Sequence, residues 1–170
     1  DSHNVTPAEV SAVWIDRFQI FKFEKSCASY LLYEGAVYPL GTWFGGMGFT
    51  DATVADLNRD GAEELYFTCS WGSGMHRAQA GCFDPARREV RMFDFAYAHS
   101  GQESGSELVL RADGEGIGVF AAELAAKSFV DFTLVPAKEV ARIASGEGGV
   151  TLTSANGNAD FYPLESDSGA

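Results

Sequence analysis

Asp56-Leu57-Asn58-Arg59-Asp60-Gly61-Ala62-Glu63-Glu64 runs without a break into Leu65-Tyr66-Phe67-Thr68-Cys69-Ser70-Trp71. In the second half, Leu65, Phe67, Cys69 and Trp71 alternate with Tyr66, Thr68 and Ser70. A period of two predicts a strand with two distinct faces. In the first half, oxygen-bearing side chains occupy the first, third, fifth and ninth positions, with glycine at the sixth. Alternate residues of a tight loop point inward, and Ca²⁺ takes 6–8 oxygens at about 2.3–2.6 Å. Asp56, Asn58, Asp60 and Glu64 are therefore candidate side-chain ligands, and Ala62 is the candidate carbonyl ligand. Gly61 admits the positive φ of a sharp turn. Five acids and a single arginine lie between Asp51 and Glu64, a density that repels itself without a counter-ion. The expected ion is Ca²⁺, with Mg²⁺ as the alternative, and the expected role is structural. The competing reading is an acidic turn that binds nothing, because Asp, Asn and Gly favour turns for backbone reasons alone.

An EF-hand requires a bidentate Glu at the twelfth loop position and a helix on each side. The twelfth position here is Phe67, within a strand pattern. The stretch instead resembles the FG-GAP or VCBS type of calcium-binding repeat, in which an Asp-x-Asn-x-Asp-Gly-x-x-Asp loop joins two strands. Asp56, Asn58, Asp60 and Glu64 match the ligand positions, with Glu in place of the final Asp, and Phe44-Gly45-Gly46 is similar to the Phe-Gly element. The resemblance covers residues 44–71 and a single copy. It implies a cation loop and, through the family's propellers, blade-like sheets.

Outward from this stretch, the chain reads as strands and turns. Thr6-Pro7-Ala8-Glu9 has the form of a capping box, which predicts a short helical turn ahead of a strand through Phe18–Phe23. Tyr30–Tyr38 reads as a hairpin turning at Glu34-Gly35, with Pro39 marking an end or an edge. Further strands are expected at residues 80–84, 88–95, 106–112, 116–124 and 128–135, with 106–112 and 116–124 joined by the Asp113-Gly114 turn. Residues 136–145 fit either a helix or one more strand paired with Val150–Thr153. Strands every 8–12 residues predict a mainly β fold. We expect one domain of antiparallel strands and hairpins over residues 5–154, built as a sandwich, a barrel or propeller-like blades, with one or two short helices. Residues 155–170 are small and polar and are expected to form a loose tail.

The composition bounds the function. The chain has 170 residues, 46% hydrophobic and 13% aromatic, enough for a packed core. A net charge of −12 argues against a nucleic-acid partner, which a basic surface would serve, and no run is long and apolar enough for a transmembrane helix. Cys27, Cys69 and Cys82 fit no zinc pattern; either Cys69 and Cys82 face each other across a hairpin, or all three are buried thiols. Millimolar extracellular Ca²⁺ fills weak sites, so the expected setting is extracytoplasmic, secreted or anchored at the cell surface, with any signal or anchor upstream of Asp1.

The catalytic alternative is a small hydrolase using Cys69 or Ser73 with His76, oriented by Asp84 or Glu103. Ser73 lacks the Gly-x-Ser-x-Gly elbow, and Cys69 falls on a predicted buried face. His3, His76 and His99 have no zinc-type spacing. The binding alternative places Trp71, Met75, His76 and Arg77 at a loop tip, as aromatic and Arg anchors for a protein or glycan at the cell surface. The expectation is a non-enzymatic module.

Overall fold

The computed structural model describes residues 1–14, 17–41, 45–72, 76–99 and 107–164. Within them the chain forms three antiparallel sheets, each from consecutive strands. The first contains β1 (Ser2–Asn4), β2 (Phe18–Phe23), β3 (Ser29–Tyr33) and β4 (Ala36–Pro39), with the helix α1 (Ala8–Trp14) between β1 and β2. The middle sheet contains β5 (Gly48–Ala55), β6 (Glu64–Trp71), β7 (His76–Asp84) and β8 (Glu89–His99). The third contains β9 (Glu107–Ala112), β10 (Gly116–Ala126), β11 (Phe132–Gly146), β12 (Gly149–Ser154) and β13 (Ala159–Pro163). The fold is mainly β, and no sheet closes into a barrel among the described residues.

The middle sheet is covered on both sides, which explains why β6 is buried along nearly its whole length. Its two faces follow the alternation in the sequence. Leu65, Phe67 and Cys69 pack with Phe18, Ile20, Leu31 and Tyr33 of the first sheet. Tyr66 packs with Ala78, Ala80 and Cys82 of β7 against Leu108, Leu110, Ile117 and Val119 of the third sheet. The face that reads as more polar is thus not solvated: Thr68 Oγ1 donates to the Leu108 carbonyl at 2.9 Å, and small residues on β7 admit the third sheet. Phe83 is the ring on which the first sheet closes, with centroids 5.0 Å from Tyr33 and 4.8 Å from Tyr38.

The hairpin at Glu34-Gly35 forms as expected, and β4 is an edge strand ending at Pro39. Two local expectations change, and two open alternatives are resolved. Thr6 does not cap α1: its hydroxyl donates to Asn4 Oδ1 and accepts from Ile20 N, while the Pro7 carbonyl takes the first helical bonds. Of the two readings of residues 136–145, the strand is the one formed: they continue β11, and Ala141–Gly146 pairs with β12. The expected tail from Ala155 turns back as β13. Its turn is Ala155–Asn158, and Phe161 and Tyr162 lie in register with Thr151 and Val150. Tyr162 stacks on Phe93 at 4.8 Å, and Leu164 is buried, so two apolar anchors outweigh the polar composition. Cys69 and Cys82 do not face each other. Cys69 is opposite Gln79, Cys82 is opposite Tyr66, and all three cysteines are buried thiols outside any disulfide, the second of the two readings.

Candidate metal centre

The Asp56–Glu63 loop joins β5 to β6, and Glu64 is the first residue of β6, paired with Ala55. The loop is wound by its own side chains. Asp60 N donates to Asp56 Oδ1 at 3.1 Å, and Gly61 N to Asp56 Oδ2 at 2.9 Å. Ala62 N donates to Asp60 Oδ1 at 2.9 Å. Arg59 and Gly61 both take positive φ, 60° and 88°, which tightens the turn. Asn58 lies against Asp60, its Nδ2 3.3 Å from Asp60 Oδ2.

Asp56, Asp60 and Glu64 bring one carboxylate oxygen each to within 4.8 Å of one another. Oxygens this close can all reach one hard cation. Glu64 is the anchor. Its side chain is 2% exposed, and its Oε1 accepts from Leu57 N at 3.2 Å and from the Tyr66 hydroxyl at 3.0 Å. Burial pushes its carboxyl up to about 8 against those two hydrogen bonds, and the charges of Asp60 and Asp56 push the same way. Burial, then Asp56, also raises Glu63. Packing three carboxyls together thus disfavours the charged form of Glu64, and a nearby cation is what would relieve that penalty, displacing the proton.

The other residues singled out by sequence are dispersed. Trp71 Nε1 donates to Gln79 Oε1 at 2.9 Å, and the Arg77 guanidinium lies 5.2 Å from the Trp71 ring, so these two form a stacked, half-buried pair. His76 is not beside them as a surface anchor. It turns to the opposite face of β7, where Nε2 is 2.8 Å from Glu107 Oε2. Cys69 is fully buried on the face toward the first sheet. Of the two pairings considered for the hydrolase, Cys69 with His76 is not formed, because the two side chains lie on opposite faces of one sheet. Ser73, Met75, Glu103 and the Phe44 of the Phe-Gly element lie outside the described residues. Asp84 instead caps the Pro85–Arg88 turn through Ala86 N and Arg87 N.

Sequence reasoning missed a buried ionic cluster to which each sheet contributes a residue. Lys22 of β2 is fully buried, with Nζ donating to the Phe49 carbonyl at 2.8 Å and lying 4.5 Å from the Phe132 ring centroid. Burial pushes its amine down to about 8, while Cys27 and Glu107 favour the charge. A signal existed: Phe18, Ile20 and Lys22 share one parity of β2. Glu107 and His76 each begin a strand, where alternation carries no information. Comparison with protein-family models, curated proteins and solved structures found no match.

Proposed function

We propose that this chain is a non-enzymatic Ca²⁺-binding β module that works outside the cytoplasm in surface binding or adhesion. The observation that carries the reading is the convergence of Asp56, Asp60 and the buried Glu64 on one point of a loop whose spacing suits a hard cation. Asp56, Asp60 and Glu64 supply carboxylate oxygens, Asn58 its amide oxygen after a turn of the amide, and Ala62 its carbonyl. The ion offsets the local charge and pins the β5–β6 connection. Because β6 gives Leu65, Phe67 and Cys69 to one core and Tyr66 to the other, fixing its entry point stabilises both. The ion binds the folded chain and not the unfolded one, so its binding energy adds to folding stability. The stacked Trp71–Arg77 pair, at the opposite end of β6, is the surface we assign to a protein or glycan partner.

The test is calorimetric titration of Ca²⁺ and Mg²⁺ into chelator-stripped protein, wild type and Asp60→Ala. The reading expects one Ca²⁺ per chain, weaker Mg²⁺, and loss of both in the variant. No Ca²⁺ heat in the millimolar range, or unchanged binding in Asp60→Ala, refutes it.

A further inference from the structure

A cavity of about 380 Å³ opens where the inner edges of the three sheets converge. The first sheet contributes the segment after β1, the middle sheet contributes β5, and the third contributes β9 and the tip of the β10–β11 hairpin. Its volume is at the small end for ligand sites. Val5, Val109, Val130, Phe132 and Leu134 supply the apolar part of a lining that is otherwise polar. Most polar groups facing it are already occupied by one another. Asn4 Oδ1 accepts from the Thr6 hydroxyl at 2.6 Å, and Thr50 Oγ1 is 2.8 Å from Thr68 Oγ1.

Two charged groups of opposite sign have capacity left. Asp51 Oδ2 accepts from Leu110 N at 2.8 Å, which locks the carboxylate across the junction of β5 and β9. Arg111 Nη1 donates to the Leu110 carbonyl at 2.9 Å and stands 3.9 Å from Asp51 Oδ2. A formed guanidinium–carboxylate hydrogen bond is about 2.7–2.9 Å long, so this pair is held apart by its backbone tethers. Asp51 is 20% exposed and Arg111 53%, and both line the cavity.

We propose that this cavity binds a free α-amino acid with an apolar side chain, its ammonium on Asp51, its carboxylate on Arg111 and its side chain on the wall of Val109, Val130 and Leu134. A lone carboxylate ligand would meet Asp51 in a chain of net charge −12, and a lone amine would meet Arg111. A zwitterion satisfies both anchors. Burial also leaves the Asp51 carboxyl raised to about 6, as expected of an anion that its hydrogen bonds and Arg111 compensate only in part. The site is independent of the cation loop.

The experiment measures thermal shift and calorimetric binding of L-leucine to the full chain, against leucinamide, N-acetyl-leucine and glucose. The proposal expects L-leucine to bind and the two blocked forms to bind about tenfold or more weakly, since each loses a charge-assisted contact. Arg111→Gln is expected to weaken L-leucine to the level of leucinamide, and Asp51→Asn to the level of N-acetyl-leucine. The comparison on wild-type protein stands even where Asp51→Asn does not fold. No response to L-leucine at millimolar concentration, equal binding of the blocked forms, or preference for glucose overturns the proposal.

Discussion

Lys22→Met replaces a fully buried ammonium by an unbranched apolar chain of similar length, and its effect on pH dependence follows from the structure. The amine titrates at about 8 in the folded chain against 10.5 for an ordinary lysine, with burial as the main cause. Between those values the unfolded chain holds the proton and the folded chain has released it, so stability rises with pH across this window. The difference amounts to roughly 3 kcal/mol between pH 7.5 and pH 10.5. Groups common to both proteins cancel when wild type and variant are compared. At pH 7.5 the variant avoids the cost of a buried charge and loses the bond to the Phe49 carbonyl, which contributes about 1 kcal/mol. It is therefore expected to be as stable as wild type or slightly more so. The assay is urea unfolding followed by tryptophan fluorescence at pH 7.5, 9 and 10.5. Wild type is expected to gain roughly 3 kcal/mol relative to Lys22→Met across the series. Parallel pH profiles would refute the assignment of Lys22 as a charge held in the core.

Three further outcomes are expected. His76→Ala leaves the 1%-exposed Glu107 without its partner on β7 and is expected to cost roughly 3 kcal/mol; adding Glu107→Gln should restore part of it, and additive losses in the double-mutant cycle would contradict the pairing. Gly48→Ala places a Cβ 2.2 Å from the Cys27 carbonyl oxygen at a φ of +66°, so a loss of roughly 2–4 kcal/mol is expected in denaturant unfolding. For Asp51 the sign is opposite to an ordinary paired carboxylate. Its raised value, about 6 against 3.8, contributes stability that is fully present below about pH 3.8 and lost as pH rises through about 6. Asp51→Asn is therefore expected to remove roughly 3 kcal/mol of pH dependence between those values, and unchanged dependence in its unfolding curves would contradict the burial argument.

The strands were legible wherever alternation ran long enough to set a parity. β6, β9, β10 and the β3–β4 hairpin follow from it, and Lys22 was readable by the same rule. Two things were not. The period of two along β6 reports two faces but not what covers the second one, and Thr68 looks solvated until the third sheet is packed over it. The end of the chain is the other case, because Ala155–Asn158 has the composition of a loose tail, and only Tyr162 on Phe93 and the buried Leu164 turn it into β13. At the candidate metal centre, the carboxylates of Asp56, Asp60 and Glu64 lie close together because a tight loop makes sequence neighbours spatial neighbours. Glu107, distant in sequence from both His76 and Lys22, had no such local signature.

The most direct test of the cation loop is a thermal melt of the chain in EDTA, in Mg²⁺ and in Ca²⁺, for wild type and for the variant Asp56→Ala with Asp60→Ala. At a Ca²⁺ concentration about 100 times Kd, linkage contributes about 2.7 kcal/mol, which for a chain of this size raises Tm by about 5–10 °C. The account predicts that rise with Ca²⁺, a smaller one with Mg²⁺, and neither in the double variant. A wild-type Tm that is the same in EDTA and in millimolar Ca²⁺ would contradict it and reduce Asp56–Glu64 to an acidic turn.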